Sequence, residues 1–159
     1  MTNAYLNITS ILRTENCQHR IHEHQPIVTV AEAVALVPEL TENLLKTVVF
    51  RKKSGTWVLA ALFHNRRVDY KKLAEAVGIN RRDLRPVSPA DVERALGFEI
   101  GGVGPFPISD EIDVVVDDAV TRRDTILCGS GKNTCTVELN VRDLLRVSRA
   151  VVAPVSRSE

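Results

Sequence analysis

The chain has 159 residues, 44% hydrophobic and 26% charged, with a net charge of +1. That length suits one domain able to bury roughly two thirds of its unfolded surface without staples, and the composition is that of a soluble globular protein. The near-neutral charge excludes the global field of a protein that slides on DNA, no apolar run approaches the ~20 residues of a membrane span, and the opening "MTNAYLNITSILRTEN" lacks the regions of a signal peptide.

In chain order, a first helix is predicted over roughly Ala4 to Arg13, and "RIHEH" at 20–24 reads as a weak strand. "TVAEAVALV" is a helix: Thr29 and Glu32 have the capping-box spacing, and the pattern ends near Pro38. "LKTVVF" and "WVLAALF" flank "RKKSGT", whose Ser-Gly predicts a turn, so the pair reads as a β-hairpin. "DYKKLAEAVG" follows as a helix capped by Asp69 and stopped by Gly78. "SPADVERALG" is the clearest helix, with Ser88 as cap, Pro89 at the first helical position and Gly97 at the end. Short strands are predicted at 113–117 ("DVVVD"), 125–128 ("TILC") and 136–139 ("TVEL"). A last helix opens at Asn140 and carries Val141, Leu144, Leu145 and Ser148 down one face. Helices interspersed with hairpin-linked strands predict a single α+β domain over residues 1–159 on a mixed sheet.

Few residues offer familiar chemistry. Cys17, Cys128 and Cys135 are an odd number without a CxxC pair, which favours reduced thiols, a cytoplasmic location and no zinc site. "GSGKNT" at 129–134 fails as a phosphate-binding P-loop, because Ile126 stands where the first glycine belongs and Asn133 follows the lysine. It still places two glycines and Lys132 between strands, where backbone N–H groups and a cation meet. His22 and His24 share one side of a strand and read as an exposed or hydrogen-bonding pair without a third metal ligand. No G-x-S-x-G elbow exists; Ser88 is a cap, Ser54 lies in a turn, and Ser130 alone has a setting suited to function. Lys46 sits within an apolar strand, where it either snorkels outward or presents a fixed charge to a cleft. The cations of 51–85 form either solvated faces or a local basic rim for a phosphate-bearing ligand. Finally, "EIGGVGPFPISD" concentrates glycine and proline around Gly101 to Pro105, so it either makes an awkward connection or presents bare backbone to a ligand.

Taken in order, "LLKTVVF", "RRVDYKKLAEAVG", "RPVSPADVERALGFEIGGVGPF" and "GSGKNTCTVELNVRDLLRVSRA" resemble the YbaK/ProX family of aminoacyl-tRNA deacylases, relatives of the editing domain inserted in bacterial prolyl-tRNA synthetases. The resemblance implies a mixed, mostly antiparallel and partly barrel-like sheet surrounded by about five helices. It maps Gly101, Gly102, Val103, Gly104 and Pro105 onto the family's G-x-x-x-P loop, which binds the aminoacylated 3′ end. Lys46 maps onto its strand lysine, and Gly129, Ser130 and Gly131, with Lys132 beside them, onto its glycine turn. The implied catalytic set is Lys46, Gly101, Gly102 and Ser130, with Val103, Gly104, Pro105, Gly129, Gly131 and Lys132 binding substrate. Asn133, Thr134 and Thr136 depart from the family pattern, as do Gly129 in place of a serine and the "PFP" after the loop.

The implied function is hydrolysis of a mischarged aminoacyl-tRNA in trans, with a small or thiol amino acid on tRNA(Pro) as expected substrate. Partners would be the acceptor 3′ end and a tRNA synthetase, with no cofactor, metal, membrane or DNA. The alternative from a different class is a non-catalytic module that binds aminoacyl-tRNA ends or a synthetase.

Overall fold

A computed structural model describes residues 3–157. Its α-helices are α1 (Ala4–Thr14), α2 (Val30–Leu36), α3 (Tyr70–Ala76), α4 (Pro89–Leu96) and α5 (Val141–Ser148). Its strands are β1 (His19–Glu23), β2 (Leu45–Lys52), β3 (Trp57–Phe63), β4 (Leu84–Pro86), β5 (Ile112–Asp117), β6 (Thr125–Gly129), β7 (Cys135–Asn140) and β8 (Val151–Ala153). The fold is α+β, as expected.

Local chemistry places the helix ends. Thr29 and Glu32 close a reciprocal capping box on α2. Asp69, Ser88 and Asn140 each accept from the first turn of their helix through the side chain. Such caps satisfy N–H groups that the helix itself cannot, each worth about 1 kcal/mol. On α5 the buried face is Val141, Leu144, Val147 and Ser148, so Val147 takes the place the sequence assigned to Leu145.

The strands form two sheets, β1-β7-β6 and β4-β2-β3-β5-β8. Pairing is antiparallel for β1–β7, β6–β7, β2–β3 and β2–β4, and parallel for β3–β5 and β5–β8. The mixed, mostly antiparallel expectation therefore holds, and the two sheets meet at an isolated bridge without closing a barrel. β4 and β8 escaped the sequence reading because three residues are too few to show alternation.

β3 explains why the larger sheet is central. Every residue of it is buried, because both faces are covered. Trp57, Leu59, Ala61 and Phe63 pack into one core with α1, α4 and the smaller sheet, while Val58, Ala60 and Leu62 pack into a second with Leu73 and Ala74 of α3. β2 alternates in the same way: Leu45 and Val49 face the first core, and Phe50 faces the second. β7 is one-sided, with Cys135, Val137 and Leu139 buried and Thr136 and Glu138 partly exposed.

Candidate functional site

The two sheets touch where Leu44 bridges Leu127 and the Leu127 N–H donates to the Asn43 carbonyl at 3.0 Å. Beyond that bridge β2 and β6 form no ladder among the described residues, and a cleft of about 400 Å³ opens between them. β2 is an edge strand here. Its partner β4 begins only at Phe50, preceded by a bond from the Val87 N–H to the Val49 carbonyl. Both faces of β2 thus meet the cleft, and Lys46, Thr47 and Val48 all line it.

The walls are mostly aliphatic: Val30, Ala33 and Val37 from the α2 region, Val92 from α4, and Cys128 and Cys135 from the smaller sheet. Burial pushes the Cys128 thiol far above its ordinary range, so this sulfur is an apolar wall rather than a nucleophile. The polar lining consists of His24, Thr29, Lys46, Thr47, Lys132, Asn133 and Thr136, with no Asp or Glu among them. Lys46 is partly buried, and burial, then the nearby Arg67 charge, lowers its pKa from the ordinary lysine value. Lys132 holds its ammonium 4.3 Å from the centre of the Tyr5 ring, a cation–π contact to the start of α1.

One end of the cleft is built from two loops laid backbone to backbone. The Gly131 N–H donates to the Gly102 carbonyl at 2.7 Å, and the Glu99 N–H donates to the Gly131 carbonyl at 2.9 Å. A Cβ on Gly104 would overlap the Gly129 carbonyl, and one on Gly129 would overlap the Val103 carbonyl. Only glycine permits that approach. Gly101 has φ of +87°, and a Cβ there would strike the Ile27 carbonyl. Asn133 stitches the assembly: its N–H donates to Glu99 Oε1 at 2.9 Å, its side-chain amide donates to the Ile100 carbonyl at 3.0 Å, and its carbonyl accepts from Ile27 at 2.8 Å.

The sequence-predicted residues divide accordingly. Lys46, Gly101, Val103, Gly129 and Lys132 line the cleft together. Gly102, Gly104, Pro105 and Gly131 are buried behind its wall, where they let the loops meet. The Gly102 N–H is occupied by the Glu99 carbonyl at 2.8 Å, so it is not a free donor, whereas the Gly101 and Val103 amides have no protein acceptor among the described residues. Ser130 is fully buried, and its hydroxyl donates to the Cys135 carbonyl at 2.6 Å. It builds the turn and does not line the cleft. His22 bonds Glu138 at 2.9 Å and His24 bonds Thr136 at 2.8 Å, the hydrogen-bonding pair expected of them.

Thr47 and the α2 wall were not singled out from sequence, and Asn133 was noted only as a departure from the family pattern, not as the residue that joins the two loops. The one usable signal lay in Thr47, a polar residue in an apolar edge strand beside Lys46. Among the described residues no group of three or more His, Cys, Asp or Glu side chains is placed to hold a metal ion.

The cleft is thus apolar, with two lysines at its wall and a glycine-built backbone end. The sequence pattern of the aminoacyl-tRNA editing domain matches residues 24–147. The chain belongs to the aminoacyl-tRNA editing domain family. It is 28% identical over 120 residues to the uncharacterized protein YwhH of Bacillus subtilis, covering 76% of this chain and 74% of the relative. It is 25% identical over 133 residues to the prolyl-tRNA editing protein ProX of Acetoanaerobium sticklandii, covering 80% of each. With a proline–tRNA ligase of Thermoanaerobacter it shares 25% identity over 105 residues, 65% of this chain but only 18% of the ligase. A solved structure proposed to be a trans-editing enzyme for prolyl tRNA synthetase superposes with a TM-score of 0.79 at 22% identity, over 99% of both chains, and shares the fold.

Proposed function

We infer that the chain is a deacylase that hydrolyses the ester of a mischarged aminoacyl-tRNA in trans, with the whole chain acting as one editing domain in the cytoplasm. A small or thiol-bearing amino acid on tRNA(Pro) is the favoured substrate, in keeping with the ProX-like and prolyl-ligase relatives. The observation that carries the reading is the meeting of Lys46, Lys132 and the unpartnered Gly101 and Val103 amides in one apolar cleft.

The chemistry needs a positioned water and donors where charge develops on the carbonyl oxygen. The Gly101 and Val103 N–H groups supply such donors, held by a loop that its contacts with Gly129 and Gly131 keep in place, so no reorganisation accompanies the reaction. Lys46 stabilises the developing charge or the terminal phosphate, and partial burial strengthens its field. The substrate's own ribose hydroxyl orients the water, because no lining side chain is a free base. His24 is the nearest candidate, and both its ring nitrogens are engaged, with Thr136 and with the Gln25 carbonyl. A net charge of +1 predicts a grip on the acceptor end only, weak and salt-sensitive unless a synthetase delivers the tRNA.

That engaged His24 also supports the second reading, a module that binds aminoacyl-tRNA ends or a synthetase without turnover. A panel of mischarged tRNAs separates the two. The deacylase reading predicts accelerated release for at least one member, lost by roughly a hundredfold or more in Lys46→Ala with the fold retained. Tight binding without acceleration selects the module, and neither binding nor release rejects both.

A further inference from the structure

Recognition of the amino group is the unassigned part of this site. An aminoacyl ester carries an α-amino group, and proteins commonly meet such a group with a carboxylate. None lines this cleft, and its two lysines oppose a further positive charge. What it offers instead is a run of unused acceptors on β2. Thr47 lines the cleft, and its Oγ1 is buried without a protein partner. Buried hydroxyls are nearly always hydrogen-bonded, so an unpaired one facing a cleft marks a group awaiting a ligand.

The main chain reinforces it. In the β2–β3 ladder Leu45 faces Phe63 and Thr47 faces Ala61. The Leu44 carbonyl accepts from His64 on the β3 side, and the Val49 carbonyl accepts from Val87 on the opposite side. Strand alternation then turns the carbonyls of Leu45 and Thr47 away from β3, toward the open edge. Neither has a hydrogen-bond donor there among the described residues, because β4 pairs only from Phe50 onward and β6 diverges after Leu127.

We propose that the open edge of β2, through Thr47 Oγ1 and the outward carbonyls of Leu45 and Thr47, holds the α-amino group of the substrate's acyl moiety and reads it by hydrogen bonding rather than by charge. Thr47 is thereby a substrate-binding residue that separates amino-bearing acyl groups from otherwise identical ones. The assignment rests on the deacylase reading above. It explains why a threonine occupies a position where valine would pack as well.

The test uses two non-hydrolysable probes with the full chain, 3′-(L-alanylamino)-3′-deoxyadenosine and its desamino counterpart, 3′-propionylamino-3′-deoxyadenosine, with binding followed by NMR titration. The amino probe is expected to bind on the order of tenfold tighter. Thr47→Val should bring the two affinities together, while Thr47→Ser keeps most of the difference. Thr47→Val removes an unpartnered buried hydroxyl at nearly constant volume, so it should fold with an unchanged or higher thermal midpoint. Equal binding of the two probes by the unaltered protein, or a preference that survives Thr47→Val, overturns the assignment while deacylation of the tRNA panel continues. Failure to bind either probe, with no deacylation, overturns both the assignment and the reading beneath it.

Discussion

Two hollows of the molecule differ in kind, and the larger of the pair is the poorer in unmatched polar groups. The cleft between the sheets holds about 400 Å³; a second hollow, bordered by the end of α3, the start of β5 and the end of α5, holds about 710 Å³. Glu75, Pro107, Asp110, Asp113, Ser148 and Arg149 lie along the larger one. Its charges behave as surface charges do: Asp113 pairs with Lys52 at 2.9 Å, and Glu15 pairs with Arg146 at 3.4 Å. Among the described residues that line it, the buried atom without a partner is the Ser148 hydroxyl, in the last turn of α5. The residues lining the smaller cleft carry more: a partly buried lysine, the Gly101 and Val103 amides without a protein acceptor, the unpartnered Thr47 hydroxyl and an open strand edge. Volume records where packing stopped, whereas unmatched polarity records where a ligand completes the structure.

Glycine substitutions give the sharpest way to break this contrast. Gly104→Ala forces a methyl group into the Gly129 carbonyl and separates the two loops. It should cost about 2–4 kcal/mol and abolish deacylation. Gly78→Ala, at the larger hollow, meets no atom within 4 Å and strains only a φ of +74°. It should cost about 1 kcal/mol and leave turnover unchanged. Chemical denaturation together with deacylation assays reads both effects, and equal losses of activity would erase the distinction.

Ser130→Ala comes next. Losing the bond to the Cys135 carbonyl should cost about 1–3 kcal/mol. Turnover below the melting transition should persist, since the hydroxyl does not line the cleft. A collapse of kcat in a folded variant would return Ser130 to the catalytic set.

The smallest effect distinguishes two lysines. Lys46 has a lower pKa folded than unfolded, because burial and then Arg67 disfavour its charge. Between those two values the unfolded chain binds more protons, so stability rises with pH; below them the charged form costs the fold in full. Lys46→Met should therefore raise the thermal midpoint near neutral pH and remove that alkaline rise. Lys52→Met breaks the contact with Asp113 and should lower stability by up to about 1 kcal/mol. Thermal melts across pH 7 to 10.5, a window ending near the ordinary lysine value, compare the two.

Much of this was legible in the chain. Thr29, Asp69, Ser88 and Asn140 marked helix starts because capping is decided within four residues. The hairpin of β2 and β3 followed from two apolar runs around a Ser-Gly turn. The ordered landmarks from "LLKTVVF" to "GSGKNT" pointed to the editing family. β4 and β8 were not legible, since neither has a pattern apart from the strand it joins. Nor could the "EIGGVGPF" stretch disclose which of its amides are free. Gly102 spends its N–H on Glu99, three residues back, while Gly101 and Val103 keep theirs, and that depends on the fold of the loop against Gly131.

The sequence by itself determined the helices, the longer strands, the family and part of the site's residues, Lys46 and the two glycine loops among them, because caps, turns and periodicity act over short distances. Tertiary structure alone decided which of those residues share a cleft. Lys46 lines it because the edge of β2 opposite β3 is left without a neighbour between Leu44 and Val49, and Ser130 is withdrawn because its hydroxyl closes the turn onto Cys135. Thr47 gained its role the same way: whether a strand edge is covered depends on partners distant in the chain, and only the assembled sheets leave it open.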